Sequence, residues 1–543
     1  MQTAYTVLIL LMLVSVSRLV GRVIPLPLPL VQIGAGALLA WPTLGLHVAL
    51  DPELFLFLFL PPLLFSDGWR MPKRELWRLR GPILTLAVGL VLFTVVGAGY
   101  FIHWLIPSIP LAVAFALAAV LSPTDAVAVS AISQNRLPTP LMHMLQGEAL
   151  MNDASGLVTF KFALVAAITG VFSLANASLT FVLVALGGLA VGVALSWLVG
   201  RLRAWMINRG WDDPATHVVF MLLLPFAAYV LAERLGVSGI LSAVAAGMMQ
   251  SWLDLLPRQT STRLLNRSVW SLLEFAFNGL IFLLLGLQLP DIIKAVASHE
   301  TSLWPMLLYR CLDVMAIFVV LLVLRFVWVQ SIWRLSVWLR RWRGVGALTQ
   351  VPSTRSVWLL TVGGVRGAVT LAGVLSVPML MGGDPFPERD LLIFIAAGVI
   401  LLSLVAACIA LPLLLRGIEK SPDDKRRQEV RDAWRKTAEA AIHALELEEA
   451  KPLDATEAAL AAELRARLMT EYRHQLDVFN DSAEAQALAF QMDLLERRLR
   501  LTALRAQRLE LYRLSRHHQI GDDVLREVLG ELDLSEAKLG VVK

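Results

Sequence analysis

Charge and cysteine are both scarce in this sequence. Only 17% of the 543 residues are charged, whereas 57% are hydrophobic and the mean hydropathy is +0.67. A soluble domain is about a quarter charged and about half apolar, so the composition excludes a water-soluble globule. The two cysteines, Cys311 and Cys408, fall within apolar segments, which excludes a disulfide framework and a cysteine-based zinc site. The apolar N-terminal stretch lacks a basic start, so no cleaved signal peptide is expected.

The charged residues are divided unevenly along the chain. The first 416 residues carry 45 of them and the last 127 carry 46. This division predicts a transmembrane domain over residues 1–416 and a charged cytoplasmic C-terminal domain over residues 417–543. Three- and four-residue spacing of apolar residues in 459–476 and 483–514 predicts a helical tail, as helical hairpins, a dimerising coil or a solvated extension. The net charge of +5 arises in the membrane part, so nucleic acid is not an expected partner.

About thirteen apolar stretches are long enough to cross a bilayer, which takes about 20 residues each. Their centres lie near residues 12, 35, 58, 93, 120, 155, 186, 223, 244, 280, 317, 368 and 402. Alternate connections hold 19 Lys and Arg on one side and 3 on the other. Because cytoplasmic loops are enriched in these residues, we predict an all-α, multi-pass protein of the cell inner (plasma) membrane. Its N-terminus is predicted outside and its C-terminus in the cytoplasm.

Two of these spans are predicted to be interrupted. In the fifth, Pro123 stands among Ser122, Thr124 and Asp125, and proline removes a backbone donor from the helix. In the twelfth, Arg366 lies among three glycines. Irregular backbone at this depth persists only where it lines a cavity or is packed in protein. The two spans are seven apart and so cross in opposite senses, as in inverted-repeat transporters with a site between broken helices. A simple proline kink capped by Asp125 is the alternative for the fifth span.

The sixth span carries three polar groups within two turns, Glu148, Asn152 and Asp153. Glu148 and Asn152 share a face, and Asp153 lies about 100° further round the helix. A lone buried carboxylate could be structural, but this cluster favours binding of a hard cation by oxygen ligands. A carboxylate at this depth can exchange between a proton and a cation, so one group could serve both in turn.

Further ionisable residues lie within other spans. Arg325 in the eleventh span requires a counter-charge, for which Glu148 is the first choice. Arg310 lies three residues before Asp313, so these two can pair with each other, and Arg310 also remains an alternative partner for Glu148. Glu274 and Asn278 are predicted to brace a contact between helices. Asp67 is predicted as a helix cap or as a group at the entrance.

Four segments together resemble the monovalent cation:proton antiporters, specifically the bacterial sodium/proton exchanger branch that is similar to animal sodium/proton exchangers. They are Phe57-Leu-Phe-Leu-Pro-Pro-Leu-Leu-Phe65, Ser122-Pro-Thr-Asp-Ala126, Gly147-Glu-Ala-Leu-Met-Asn-Asp153 and Gly363-Gly-Val-Arg-Gly-Ala368. They occur in the family's order, and the likeness covers about residues 1–416. The resemblance implies two crossed, unwound helices, the fifth and twelfth, within inverted repeats, beside a domain that mediates homodimerisation.

The resemblance also implies roles for individual residues. Asp153 would bind the cation and the proton, Asn152 would be its neighbour, and Thr124 would be a second Na⁺ ligand through its backbone or its hydroxyl. Asp125 and Arg366 would compensate the dipole ends at the helix breaks, and Glu148 with Arg325 would form a structural ion pair. The Asn-Asp pair looks like the electroneutral branch. Where many members have Ser or Thr after the Glu, this chain has Ala149, so one side-chain ligand is missing.

These features predict a secondary active antiporter that exchanges Na⁺, Li⁺ or K⁺ for H⁺ by alternating access, for pH and sodium homeostasis. Its expected partners are monovalent cations, protons, membrane lipid and a second copy of the chain, and no cofactor is expected. A K⁺-selective exchanger regulated by the tail and a passive cation channel remain alternatives. The membrane part lacks a His-rich metal cluster and a nucleophile elbow, so an enzyme is not expected.

Overall fold

The chain is built almost entirely of α-helices. The computed structural model describes residues 2–23, 26–40, 52–134, 136–169, 174–211, 213–254, 260–297, 303–342, 354–378, 380–381, 384–416, 424–447, 455–480, 483–517 and 519–539. The first seventeen helices are α1 (Gln2–Val23), α2 (Leu28–Leu39), α3 (Pro52–Arg70), α4 (Lys73–Arg78), α5 (Arg80–Leu84), α6 (Leu90–Leu105), α7 (Leu111–Leu121), α8 (Ala126–Ser133), α9 (Thr139–Thr169), α10 (Leu174–Asn208), α11 (Pro214–Arg234), α12 (Gly239–Leu253), α13 (Thr260–Ala297), α14 (Leu303–Trp342), α15 (Thr354–Val362), α16 (Ala368–Leu375) and α17 (Arg389–Leu414). Four more follow: α18 (Asp424–Leu447), α19 (Ala455–Asn480), α20 (Ala483–Arg516) and α21 (Asp522–Leu539).

Two short features interrupt this pattern. A π-helical turn, Thr85–Gly89, joins α5 to α6. An antiparallel pair of two-residue strands, β1 (Leu380–Met381) and β2 (Asp384–Pro385), lies between α16 and α17. The prediction of an all-α membrane protein is confirmed.

The apolar helices coincide with the predicted spans. Among the described residues, seven helices are long and apolar enough to cross a membrane, or eight if the bent pair α7 and α8 counts as one span. Shorter apolar helices cover Tyr5–Gly21, Leu28–Leu39 and Gly239–Leu253. Each of the thirteen predicted centres falls on a helix. The number of spans stays a prediction.

Helix starts follow from local sequence. Asp125 precedes α8 and its carboxylate accepts hydrogen bonds from two backbone N–H groups of the first turn. The Asp213 carboxylate caps α11 by accepting from the backbone N–H of Thr216, with Pro214 at the first helical position. Ser238 caps α12 through its hydroxyl. These residue types satisfy donors that the first turn of a helix leaves unpaired, so each start can be read from the sequence.

Close packing of the membrane helices depends on glycine at two contacts. A Cβ at Gly247 of α12 would overlap the backbone carbonyl of Phe65 in α3. A Cβ at Gly286 of α13 would likewise overlap the carbonyl of Ile33 in α2. Small residues let helix backbones approach each other, which is how helices associate where lipid removes the hydrophobic drive between them. The first contact fixes α3 beside α12, and α3 carries part of the site described next.

The chain divides into two compact units, Met1–Ile418 and Glu419–Lys543. The second unit contains α18 to α21. Within it, Arg508 of α20 forms ion pairs with Asp533 and Glu536 of α21, and Leu504 and Leu511 of α20 are buried. The tail is therefore helical, with α20 and α21 packed against each other.

Candidate functional site

The two helix breaks predicted from the sequence lie against each other. The first separates α7 from α8, which are bent by 45°, and the second separates α15 from α16. The backbone N–H of Asp125 in the first break donates a hydrogen bond of 2.7 Å to the carbonyl of Val365 in the second. Each unwound segment thus supplies a partner for the other's backbone, as irregular chain at membrane depth requires.

Buried guanidinium groups face the carbonyl ends of both broken helices. Arg366 donates hydrogen bonds to the carbonyl oxygens of Ser122 and Pro123, which follow the last turn of α7; the Pro123 bond is 3.0 Å long. Arg325 donates from Nε to the carbonyl of Leu360, in the last turn of α15, at 2.9 Å. The last carbonyls of a helix lack intrahelical partners and carry partial negative charge, so a cation stabilises each end.

The Asp125 carboxylate lies at the amino ends of the two half-helices that follow the breaks, α8 and α16. Its Oδ1 accepts hydrogen bonds of 2.9 Å from the backbone N–H groups of Val127 and Ala128 at the start of α8. The start of α16 has Gly367 at its N-cap and no side-chain cap, and a Cβ there would overlap the Asp125 carboxyl group. One carboxylate therefore lies beside both positive helix ends, and only glycine leaves room for it.

Asn152 of α9 holds the first break in place. Its Nδ2 donates a hydrogen bond of 2.8 Å to the hydroxyl of Thr124, and the Thr124 N–H approaches Asn152 Oδ1 at 3.5 Å. Asn152 is 1% exposed. Ser155, on the next turn of α9, donates to the carbonyl of Ala87 in the π-helical turn at 2.5 Å. These contacts position α9 between the break and the span Arg80–Leu105.

Asp153 faces a cavity instead of a partner. It is 8% exposed and lines a cavity of about 260 Å³ together with Thr124 and Asp125. No group among the described residues donates a hydrogen bond to its carboxylate, and the carboxylates of Asp67 and Asp125 line the same cavity. Its oxygens are thus available to a ligand that enters the cavity.

Glu148 pairs with Arg325 deep in the protein. The two side chains are 0% and 3% exposed, and their contact is bidentate, with Nη2 of Arg325 donating to Oε2 of Glu148 at 2.8 Å. Arg310 instead pairs with Asp313, at 3.3 Å. The geometry thereby decides between the two arrangements that the sequence left open. A buried bidentate pair orients both helices, α9 and α14, relative to each other.

Polar residues from α3, from α13 and from an earlier turn of α9 complete the cavity. Asp67 and Arg70 of α3, Glu274 and Asn278 of α13, and Gln146 of α9 all line it. Arg70 pairs with Glu274 at 2.6 Å, and the Ser66 hydroxyl also donates to Glu274. Glu274 therefore braces α13 against α3, while Asp67 lies in the cavity wall.

Sequence reasoning missed Gln146, Ser130 and Thr370, which also line the cavity. Gln146 lies seven residues before Asp153, with Ala149 and Leu150 between them on the same face of α9. That spacing is a signal that could have identified Gln146. Thr370 carried no such signal, because it follows the second break on a helix of eight residues.

The side chains at the breaks that could contact an ion offer oxygen ligands. Among the described residues, no group of three or more His, Cys, Asp or Glu could hold a resident metal ion. The Asp153 carboxylate and the Thr124 hydroxyl are ligands that suit a hard cation such as Na⁺.

Comparison with known proteins identifies the family of this chain. The sequence model of the family described as sodium/hydrogen exchanger, transmembrane, matches residues 7–417. An uncharacterised Na⁺/H⁺ exchanger of Escherichia coli, YjcE, is 46% identical over 560 residues, covering 99% of both chains. The sodium, potassium, lithium and rubidium/H⁺ antiporter of Bacillus pumilus is 42% identical, over 98% of this chain and 78% of its own.

A solved structure shares the fold. The sodium proton antiporter MjNhaP1 of Methanocaldococcus jannaschii, at pH 8, is similar with a TM-score of 0.58 at 17% identity, covering 77% of this chain and 99% of that one. The chain therefore belongs to the transmembrane sodium/hydrogen exchanger family: it is an integral membrane antiporter of cations and protons, not an enzyme, and the ions are its substrates and not cofactors.

Proposed function

We propose that this chain exchanges Na⁺, Li⁺ or K⁺ for H⁺ by alternating access, with Asp153 holding either the proton or the cation. The observation that carries the proposal is the position of the Asp153 carboxylate, which lines a cavity beside two helix breaks and has no donor among the described residues. A single carboxylate cannot hold both ions at once. Binding of one therefore releases the other, and that competition is what couples the two fluxes.

The neighbouring residues suit these steps. Thr124 offers its hydroxyl oxygen to a cation, while Asn152 holds that hydroxyl in position through the 2.8 Å hydrogen bond. Asp125 is engaged with two backbone N–H groups, so its charge serves the helix ends. With Asp153 as the one carboxylate that exchanges ions, a monovalent cation replaces one proton and the exchange is electroneutral.

The accessible state is proposed to face the cytoplasm. The cavity that holds Asp153 is also lined by Arg70, whose side chain is 45% exposed. Arg70 precedes the basic helix α4, which belongs to the connections predicted to be cytoplasmic. Beyond Asp153, the residues Ala154, Leu157, Val158 and Phe160 of α9 are buried. We infer that this packing closes the other side. Alternating access would open the side away from the cytoplasm while closing the cytoplasmic side.

Selectivity among monovalent cations is proposed to be broad. Ala149 lines the cavity at the position where the family resemblance suggests Ser or Thr. One oxygen ligand fewer leaves more of the ion's hydration shell in place, which weakens discrimination by ion size. The Bacillus pumilus relative, whose name includes sodium, potassium, lithium and rubidium, supports the same direction.

The setting of the exchanger follows from the sequence pattern and the resemblance. We propose that it lies in the inner (plasma) membrane as a homodimer surrounded by lipid, with the N-terminus outside and the charged C-terminal unit in the cytoplasm. Cation efflux coupled to proton uptake would then serve pH and sodium homeostasis. A tail that regulates transport is compatible with the same site.

Transport in everted membrane vesicles tests the proposal. A proton gradient is established, Na⁺, Li⁺ or K⁺ is added, and collapse of the gradient is followed with a pH-sensitive dye. Asp153→Asn should abolish the collapse, because an amide cannot exchange a proton for a cation. Asp291→Asn, at an exposed position on α13 paired with Lys294, should retain it. Collapse at the wild-type rate in Asp153→Asn would refute the assignment, and a current carried by Na⁺ without proton movement would indicate a channel.

A further inference from the structure

A second cavity, of about 680 Å³, lies between the end of α3, α10, the end of α12 and the first turns of α13. Asp153 and the two helix breaks do not line it. Its lining comes from segments next to connections predicted to be cytoplasmic. Arg70 is shared by both cavities, at the end of α3.

The lining of this cavity is strongly basic. Arg203, Arg263 and Arg267 line it, against one acidic lining residue, Asp254. Arg70 lines it as well, but its charge is paired with Glu274. Both carboxylate oxygens of Asp254 accept hydrogen bonds, from Trp69 Nε1 at 2.6 Å and from Gln250 Nε2 at 3.2 Å. Arg203 is 1% exposed, so a guanidinium group is held within the wall and not at the rim. Such a wall favours an anion.

Buried polar side chains belong to the same wall. Thr262 and Asn266 are 3% and 5% exposed, and both line the cavity. Among the described residues, the Thr262 hydroxyl and the Asn266 carbonyl oxygen have no hydrogen-bond partner. Buried polar atoms are rarely left without a partner, because this costs free energy. The Thr262 hydroxyl can donate to a bound oxygen.

The spacing of these residues makes one surface of α13. Thr262 and Asn266 are four apart, as are Arg263 and Arg267, so the four side chains occupy adjacent positions on the first two turns. Leu264 lines the same cavity and is 52% exposed, which gives the opening an apolar border. A basic wall with an apolar border matches a phosphate group that is attached to acyl chains.

We propose that this cavity binds the phosphate group of an anionic ligand, supplied by a phospholipid headgroup or by free phosphate. Guanidinium groups bind phosphate oxygens bidentately, and the Thr262 hydroxyl can donate a further hydrogen bond to a phosphate oxygen. Basic pockets between transmembrane helices on the cytoplasmic side are suited to anionic headgroups. The apolar border at Leu264 favours the lipid as the source.

The full-length protein, purified in detergent and delipidated, tests the proposal by thermal unfolding followed by intrinsic fluorescence. The added probes are phosphatidylglycerol, phosphatidylcholine and inorganic phosphate. The test variant is Arg263→Gln/Arg267→Gln, at two exposed positions on the cavity. The matched control is Arg201→Gln/Arg334→Gln, which removes the same charge from two exposed positions that do not line it.

Phosphatidylglycerol is expected to raise the melting temperature of the wild type and of the control, and phosphatidylcholine is not. In the test variant the apparent affinity should fall about 30-fold, which corresponds to roughly 1 kcal/mol for each charge. Stabilisation by inorganic phosphate that the test variant loses would support the site with free phosphate as its source. Equal loss in test and control variants, or no response to either phosphate probe, would overturn the proposal.

Discussion

Breaking the Glu148–Arg325 pair should destabilise the protein far more than breaking an exposed ion pair. Both side chains are almost fully buried, and the bidentate contact satisfies both carboxylate oxygens. Removing one partner leaves an uncompensated charge, which costs about 3–5 kcal/mol in a protein interior. Glu148→Gln and Arg325→Met should each lower the free energy of unfolding by about that amount.

The double variant distinguishes the interaction between Glu148 and Arg325 from the effect of each substitution alone. With both charges removed, no unpaired charge remains, and well-packed neutral replacements of a buried pair are often close to neutral in stability. Glu148→Gln/Arg325→Met should therefore recover most of the free energy of unfolding that each single variant loses. The carbonyl of Leu360 still loses its Arg325 donor, which leaves a deficit of about 1–3 kcal/mol, the cost of an unsatisfied buried group.

Unfolding of the purified protein in mixed micelles, followed by fluorescence, measures these differences as a double-mutant cycle. Lys161→Gln is the control, because its pair with Glu233 is 57% and 35% exposed and such pairs contribute about 0.2–1 kcal/mol. If the two single losses simply added in the double variant, the two residues would not be coupled and the reasoning from burial would be wrong.

Two further predictions concern a helix break and a helix cap. Gly367→Ala should abolish vesicle transport while the protein still reaches the membrane, because the added Cβ would overlap the Asp125 carboxyl group. The control Gly81→Ala, which has open space around its added Cβ, should transport normally. Equal transport activity of the two variants would contradict the steric argument. The Thr216 hydroxyl and, to a smaller extent, the Thr216 backbone N–H donate hydrogen bonds to Asp213 and hold the pKa of this carboxyl below its usual range. Since its folded pKa is lowered, the stabilisation is present above the ordinary aspartate pKa of about 3.9 and is lost as the pH falls through the folded pKa. Asp213→Ala should therefore lower the melting temperature at neutral pH, and the difference from wild type should shrink in acid; a pH-independent difference would exclude this origin.

Much of the membrane part could be predicted because lipid imposes simple rules on sequence. Apolar stretches of about 20 residues located the helices, and Pro123 and the glycines around Arg366 located both breaks. The cost of polar groups at membrane depth drew attention to Asp153, Asn152 and Glu148, whatever they contact. The resemblance to a family then gave these residues roles.

Other features depended on how separate helices pack. Glu148 and Arg325 are 177 positions apart, and the sequence left Arg310 as an alternative partner for Glu148 until the structure placed it against Asp313. Arg366 reaches the carbonyls of the opposite break, and Gln146 and Thr370 enter the cavity wall. None of these contacts follows from the periodicity of a single helix.

By itself, the sequence determined that this is a helical membrane protein with two interrupted spans. It also singled out the Asp153 carboxylate, because a charged group at membrane depth costs free energy. Composition and spacing report the depth of a residue and its face on its own helix, and nothing more. Which face turns toward which neighbour is set by the rotation and approach of helices packed through residues such as Gly247 and Gly286. Only the tertiary structure could therefore decide that Asn152 turns to Thr124 while Asp153, one residue further on, faces the cavity.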